Sequence, residues 1–176
     1  MNDVSWRRGE KHDRQLLESF ACCPADHPQR RACDQPWAHE VQTYFRRDAI
    51  TSCNQHNAVC DQRLLLVLDG TDLVGAAVHA LTATDDPAGF RERALVAYAV
   101  GVDHQGKSLS DGRRASAAVL DAVFMDIASR HGEGQVVFLH ASVHSANEAS
   151  RTVLSRHGVR HGGTNGDYTR YSARIC

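Results

Sequence analysis

The chain has 176 residues, of which 42% are hydrophobic, and its formal net charge is −1 at pH 7. This length suits a single domain, and the near-zero charge provides no global field that would attract nucleic acid or an anionic membrane. No apolar run approaches the ~20 residues that span a bilayer, and the polar amino terminus carries no secretory signal, so we expect a cytoplasmic protein without membrane or nucleic-acid partners.

The pattern of residues 1–62 predicts a region rich in helices. Residues 13–20 have a short amphipathic pattern, and residues 21–37 contain three of the four prolines and predict a loop. Residues 38–50 predict a helix, because their apolar side chains recur at helical spacing. Residues 51–62 are polar and predict an irregular segment.

The chain contains six cysteines: Cys22, Cys23, Cys33, Cys53, Cys60 and Cys176. Without a secretory signal we do not expect a disulfide framework. Cys53, His56 and Cys60 would come within metal-ligand reach if their segment were helical, which leaves a zinc-dependent protein as one alternative. The chain has no CxxC pair and the spacing is irregular, so our prediction is that it binds no metal.

A regular pattern of strands and helices begins at residue 63. Residues 63–81 are two apolar runs around Asp69-Gly70, which is a hairpin signal. Residues 82–92 predict a loop, and the nearly continuous apolar run at 93–102 predicts a central strand covered on both faces.

The pattern of the carboxy-terminal third predicts helices that alternate with strands. Residues 113–132 and 147–158 have helical periodicity, the second behind a capping Asn147, and residues 135–143 predict the strand between them. Asn165-Gly166 separates two short strand candidates. Strand–helix–strand units of this kind imply at least one parallel strand pair.

Residues 105–110 form a polar bend between the central strand and a long helix. A helix amino terminus exposes unpaired amides and a partial positive charge, which bind phosphate. Gly106, Ser108 and Ser110 are small enough for phosphate to approach the backbone, and Lys107 supplies charge. A plain strand-to-helix turn is the alternative interpretation.

The bend resembles the acyl-CoA-binding loop of the GNAT superfamily of N-acetyltransferases. That loop reads Gln or Arg, two residues, Gly, one residue, and Gly or Ala, and in this chain Ser108 and Ser110 stand at the two glycine positions. A later segment is similar to the family's strand ending in Val, then Asn, then Ala-x-x-Leu-Tyr-x-x-x-Gly-Phe. The corresponding residues are Val143, Asn147, Ser150, Val153, Leu154, Gly158 and Val159.

The resemblance implies an α/β fold with a mixed, mostly antiparallel central sheet that has a splayed parallel strand pair and is flanked by helices. It implies one acyl-CoA N-acyltransferase-like domain over residues 1–176, with a variable part at 1–62 and a core at 63–176. It also implies acetyl-CoA as the acyl donor, with cofactor-binding positions at Val100, Val102, Gln105, Gly106, Lys107, Ser108, Leu109, Ser110, Asn147 and Ser150.

The implied reaction is direct transfer of an acetyl group to a small-molecule or peptide amine. The family's usual acid, a tyrosine, is replaced here by Leu154, which cannot donate a proton. Tyr98 and His144 are the catalytic candidates that could act as the acid instead. The alternative interpretations are that Tyr98 is a core aromatic and that His144 is a loop residue. His79, Glu40 or a water chain could supply the base.

Two further expectations stay open at the level of the sequence. The replaced glycines and Leu154 favour, as the alternative function, a catalytically weak or inactive protein of this fold that binds an acyl-CoA or a partner. A homodimer is compatible with the sequence.

Overall fold

A computed structural model describes residues 3–23, 36–82, 90–131 and 135–175, with the backbone alone for residues 54–59. The helices are α1 (Arg14–Glu18), α2 (Pro36–Thr43), α3 (Ala49–Cys60), α4 (Ala115–Arg130) and α5 (Glu148–Arg156). A π-helical turn, Tyr44–Asp48, joins α2 to α3. The strands are β1 (Val4–Arg8), β2 (Arg63–Asp69), β3 (Asp72–Leu81), β4 (Arg91–Val100), β5 (Val137–His144), β6 (Arg160–Asn165) and β7 (Tyr168–Arg174).

The strands form one seven-stranded sheet in the order β1-β2-β3-β4-β5-β7-β6. Of these pairings, β4 with β5 is parallel and the others are antiparallel. The mixed, mostly antiparallel sheet with one parallel pair confirms the predicted fold class.

Helices cover the sheet from two sides. Apolar residues of α4 and α5, such as Val119, Val123 and Leu154, pack with one face of the sheet. Phe45 and Ile50, from the α2–α3 region, pack with the other face around Ala76 and Val78. Within the described residues, no helix is both long enough and apolar enough to cross a membrane.

The two central strands diverge towards their carboxyl ends. The pairing of β4 with β5 runs from Arg91↔Val137 to Leu95↔Ala141 and stops there, although β4 continues to Val100. The register of β4 against β3 shifts at the same point, which leaves Val96 as the extra residue of a bulge. The bulge bends β4 and opens a gap between the strands where the resemblance implied one.

Most of the predicted elements are confirmed. Both hairpins form around two-residue loops, with Gly70 and Gly166 at positive φ. The central strand and the two long helices lie within two residues of their predicted bounds. The loop predicted at 82–92 falls largely on residues 83–89, which lie outside the described residues, and it is wrong at Arg91 and Glu92, which belong to β4.

Two predictions for the amino-terminal part, 1–62, are wrong. The segment before residue 13 contains a strand, β1, which pairs with the edge of β2 although three of its five residues are polar or charged. Residues 51–60 are helical rather than irregular, because α3 continues the helix that the apolar spacing of 38–50 predicted. In both places tertiary packing outweighs a weak local pattern.

A buried polar network joins the sheet to α4 at the end remote from the gap. The Asp126 carboxylate accepts two hydrogen bonds from Arg63, at 2.7 and 2.8 Å, and lies 2.9 Å from Nε2 of His79. Nδ1 of His79 lies 2.9 Å from the Arg93 guanidinium, which can only donate, so the ring is neutral with its proton on Nε2. Arg93 also pairs with Asp61.

Candidate active site

A cavity of about 580 Å³ lies at the open end of the gap between β4 and β5. Six segments converge on it: the segment after α1 at Cys22, one side of α2, the end of β4, the bend after β4, the start of α4 and the first turns of α5. The lining includes Cys22, Trp37, Ala38, Val41, Tyr98, Ala99, Val100, residues 105–107, residues 114–116, residues 147–150, Thr152 and Val153.

The end of β4 turns backbone amides towards the cavity. Gly101 donates its amide to Val74 on β3, at 2.8 Å. Because alternate residues of a strand direct their backbone groups to opposite sides, the amides of Tyr98 and Val100 face away from β3, towards β5. The β4–β5 pairing has ended at Leu95, so these amides face the gap. An extended ligand could pair with them as an added strand does.

The start of α4 forms the cationic end of the cavity. The helix has no side-chain amino-terminal cap, and among the described residues no acceptor binds the amides of Ser116 and Ala117. The side chains of Lys107 and Arg114 line the cavity beside these amides. Unpaired helix amides with two cations are the donor set that binds phosphate groups.

The polar bend contributes fewer contacts than the sequence predicted. Gln105, Gly106 and Lys107 line the cavity, and Gly106 has a φ of +73°, which glycine adopts without strain. The Gln105 carboxamide donates to the carbonyls of Cys22 and Val100, at 2.8 and 3.2 Å, so it fastens the bend to β4. Val102 lies outside the lining and donates its amide to Ala21.

The other three residues of the bend are turned away from the cavity. Ser108 forms a β-bridge with Arg114, and the Leu109 side chain is buried in the core. The amide and hydroxyl of Ser110 both donate to Asp69, at 2.9 and 2.5 Å. Residues 108–114 thus close a small loop of their own, and α4 begins only at Ala115.

This loop explains what the sequence reasoning missed. The prediction placed the phosphate cradle at 105–110 because the motif matched these residues. In the structure, Arg114 and Ser116 line the cavity, whereas Ser108 and Ser110 do not. The Arg113-Arg114 pair directly before an apolar helical pattern was the available signal.

Asn147 and Ser150 lie at the cavity wall formed by α5. The Asn147 side chain accepts the amide of Ser150 at 3.1 Å, which confirms Asn147 as the cap of α5. The Ser150 carbonyl accepts the Tyr98 hydroxyl at 3.2 Å. The cap therefore accounts for Asn147 structurally, and Asn147 also belongs to the cavity lining.

Tyr98 lines the cavity with a proton that is difficult to remove. Burial raises the pKa of Tyr98 to about 12. Its bond to Ser150 is long for a hydroxyl donor, so the hydroxyl can exchange that partner for a closer one. Tyr98 is thus suited to donating a hydrogen bond rather than to surrendering its proton.

His144 does not line the cavity but stacks on a residue that does. Its ring is parallel to Trp37, with centroids 4.3 Å apart and planes at 19°, and meets Tyr168 edge-on at 5.6 Å. Nδ1 of His144 accepts the amide of Ala146 at 3.2 Å, which places the proton of the neutral ring on Nε2. Trp37 was not singled out in the sequence, since a contact between positions so far apart in the chain leaves no local signal.

The remaining acid–base candidates are separated from the cavity. Leu154, at the position where the family has tyrosine, is fully buried in the core. His79 as a base is wrong, because it is fully buried and both ring nitrogens are occupied by Asp126 and Arg93. Glu40 is exposed on α2 and does not line the cavity, whereas Glu148, which the sequence reasoning passed over, does.

The zinc alternative is only partly covered by the structure. Cys53 is buried, and burial raises the pKa of its thiol to about 11, so the neutral thiol is the stable form in the apolar cluster. The His56 side chain, Cys33 and Cys176 lie outside the described residues. In the part of the chain that is described, no group of three His, Cys, Asp or Glu side chains could hold a metal ion.

Comparison with known proteins identifies the fold. No protein-family model and no curated protein matches the sequence. Among solved structures, the PaiA N-acetyltransferase of Thermoplasma acidophilum in complex with coenzyme A is similar, at 12% identity with a TM-score of 0.66, covering 98% of this chain and 99% of that one. RimL, a ribosomal L7/L12 α-N-protein acetyltransferase in complex with coenzyme A, has 16% identity and a TM-score of 0.63, covering 98% and 94%.

An acetyltransferase of the GNAT family from Staphylococcus aureus Mu50 is also similar, at 12% identity with a TM-score of 0.59, covering 99% of this chain and all of that one. The similarity extends over whole chains, so it includes the helical amino-terminal part, 1–62, as well as the core. The resemblance that the two motifs predicted is therefore confirmed at the level of architecture: this chain has the GNAT fold.

Proposed function

We propose that the protein is an acetyl-CoA-dependent N-acetyltransferase that transfers the acetyl group directly to a primary amine. The observation that carries this proposal is the cavity at the gap between β4 and β5, which combines open strand amides with a cationic helix terminus. The structural neighbours are acetyltransferases of the same fold, some with coenzyme A, which supports the same conclusion.

The cavity fits the parts of acetyl-CoA in order. The amides of Ser116 and Ala117, with Lys107 and Arg114, would hold the pyrophosphate. The pantetheine arm is a chain of amides, and the amides of Tyr98 and Val100 along the gap would pair with it. The thioester would then lie near the bulge of β4, between Tyr98 and the α2 wall.

The reaction requires a neutral amine whose nitrogen attacks the thioester carbonyl carbon. The carbon–sulfur bond breaks, an amide bond forms, the amine nitrogen loses a proton to water, and the coenzyme A sulfur leaves as a thiolate that takes up a proton. A backbone amide at the end of β4 would polarise the carbonyl as its oxygen gains charge. Tyr98 would donate a hydrogen bond to the departing sulfur, and the Nε2 proton of His144 is the second candidate donor.

Charge reversal at the start of α4 tests the donor site. We expect Lys107→Glu and Arg114→Glu each to weaken acetyl-CoA binding by at least tenfold, because each replaces a charge-assisted contact to phosphate with repulsion. Arg160→Glu is the matched control, since Arg160 is exposed on β6 and does not line the cavity. Binding is measured by calorimetry, and a cooperative thermal unfolding transition without ligand, at a Tm close to that of the wild type, confirms that each variant is folded.

Release of free thiol in the presence of a panel of primary amines then measures turnover. Acetyl-CoA binding with thiol release that depends on amine supports the enzyme. Tight binding without turnover would favour the alternative of a catalytically inactive acyl-CoA-binding protein, for which the burial of Leu154 is the supporting observation. Equal affinity of the wild type and both cavity variants for acetyl-CoA would show that acetyl-CoA does not bind in this cavity.

A further inference from the structure

Among the described residues, the sheet face opposite α4 and α5 is largely exposed beyond β4, with Trp37 of α2 packed on it at His144. On β5 and β7 the odd-numbered residues Ala141, Val143, Thr169 and Tyr171 are buried towards α4 and α5. Because side chains alternate along a strand, the even-numbered residues point the other way. We call this surface the open face. Its residues are Phe138, His140, Ser142 and His144 on β5, Tyr168, Arg170, Ser172 and Arg174 on β7, and their partners Arg160, Gly163 and Asn165 on β6.

The open face has a positive charge. It contains three arginines, Arg160, Arg170 and Arg174, together with His140 and His144, and none of its residues is acidic. Among the described residues, two carboxylates lie at its margins: Glu92 on β4, which is paired with Phe138 of β5, and Asp167, in the turn between β6 and β7. This face therefore favours an anionic ligand, although the chain as a whole carries a charge near zero.

A shallow depression of about 330 Å³ lies within the open face. It is lined by Ser142, Asn165, Tyr168 and Arg170, and neither Glu92 nor Asp167 belongs to its lining. No hydrogen bond or ion pair joins the Arg170 guanidinium, the Ser142 hydroxyl or the Asn165 carboxamide to another described residue. Three polar groups able to donate thus converge on a depression without a protein acceptor among the described residues.

A row of aromatic rings connects this depression to the candidate active site. Tyr168, in the depression, meets His144 edge-on at 5.6 Å, and His144 stacks on Trp37 at 4.3 Å. Trp37 lines the cavity, and Glu148 lines it as an exposed carboxylate. Arg170 is two residues along β7 from Tyr168, a distance of roughly 7 Å.

We propose that the acceptor is an amine with an anionic group, a carboxylate or a phosphate, which Arg170 binds in the depression while the amine enters the cavity beside Glu148. This proposal rests on the proposed acetyl transfer. The positive depression and the negative Glu148 would orient such a zwitterion, with its chain lying along the rings of Tyr168, His144 and Trp37. The separation of the two charged residues requires several bonds between the amine and the anion.

The test is a length series of unbranched ω-aminoalkanoates with three to eight carbons, each beside its uncharged carboxamide. Aminoalkyl phosphates of matched length distinguish a carboxylate site from a phosphate site. At the best length we expect kcat/KM to be at least tenfold higher for the anionic acceptor than for the carboxamide, because a charge-assisted bond to Arg170 is lost in the latter. The preference should fall as ionic strength rises.

Variants of Arg170 test whether this residue causes the preference for anionic acceptors. R170A should reduce kcat/KM for the anionic acceptors to the level of their carboxamides, and R170K should retain part of the preference. R160A, on the same face but outside the depression, should keep the full preference. Thermal stabilisation by acetyl-CoA in every variant shows that folding and donor binding are intact, and acceptor binding to the coenzyme A-loaded protein gives a second readout.

Several outcomes would overturn the proposal. Equal rates for acids and carboxamides in the wild type would reject it while leaving acetyl transfer in place, and so would a preference that survives in R170A. Competition by a short RNA oligonucleotide, but by none of the small anionic amines, would make the open face a nucleic-acid surface instead. No thermal stabilisation by acetyl-CoA and no transfer to any amine would reject the proposed function together with this inference.

Discussion

Replacement of Asp126 by asparagine probes the buried network that anchors α4 to the sheet. The carboxylate is 2% exposed and contacts Arg63 and His79. Burial alone would raise the pKa of Asp126, but the bonds from His79 and Arg63 outweigh it and lower the pKa from 3.8 to about 2. This difference corresponds to about 2.5 kcal/mol of folding free energy at pH 7.

We expect Asp126→Asn to cost at least about 2.5 kcal/mol at pH 7, because its amide group removes the negative charge and turns donors towards Arg63. For a chain of this length, that lowers the Tm by about 5–10 °C. Asp121→Asn is the control on the same helix: its carboxylate is 37% exposed and pairs only with Arg113 and His157 among the described residues. We expect a cost below about 1 kcal/mol there.

The pH dependence distinguishes a charge effect from a packing effect. The pKa of Asp126 is lower in the folded protein, so its contribution is complete above 3.8 and is lost as the pH falls towards 2. At pH 3 the wild type should have lost about 1 kcal/mol of the advantage that it has over Asp126→Asn at pH 7. Burial lowers the pKa of His79 below 6.5, so His79 also destabilises the fold as the pH falls below 6.5.

Urea unfolding at pH 7 and pH 3, followed by circular dichroism, measures both differences. A cost no larger than that of Asp121→Asn at pH 7 would refute the network as an anchor. A cost that does not shrink at pH 3 would show that the carboxylate charge is not its source.

Two further variants test which position supplies a proton to the leaving group: position 154, where the family has its tyrosine, or Tyr98 in the cavity. Leu154→Tyr should destabilise the fold by about 1–3 kcal/mol through overpacking of a fully buried site, without raising kcat; a faster enzyme would mean that the position reaches the thioester. Tyr98→Phe should lower kcat less than tenfold, since a thiolate with an ordinary pKa near 8.5 cannot take a proton from a phenol with a pKa of about 12. Stopped assays of thiol release measure both, and a loss of 10²–10⁴ in Tyr98→Phe would identify Tyr98 as a general acid instead.

The core of the fold could be predicted because its signals are local. Asp69-Gly70 and Asn165-Gly166 set the two hairpins, and the apolar run before Gly101 marked the central strand. The cap at Asn147 fixed the start of α5 within one residue. In each case the residues that carry the signal are those that form the turn, the buried face or the cap.

The elements that escaped prediction depend on distant partners. Strand β1 is an edge strand whose charged residues are stable because β2, which follows only after all three amino-terminal helices, pairs with it. The neutral state of His79 depends on Asp126 and Arg93, which are 47 and 14 residues away. No short window of sequence contains both members of such pairs, so periodicity and spacing alone do not reveal them.

The candidate site shows the same limit at its most informative position. Residues 105–110 were the closest match to a phosphate-binding loop, yet Ser110 is held by Asp69 and α4 starts only at Ala115. The feature that binds phosphate is the unpaired helix terminus, and the loop sequence is useful only as far as it locates that terminus. Helix α4 therefore serves two purposes: Asp126, in its last turns, fixes it to the sheet, and about 18 Å away its first turn presents amides beside Arg114 to the cavity.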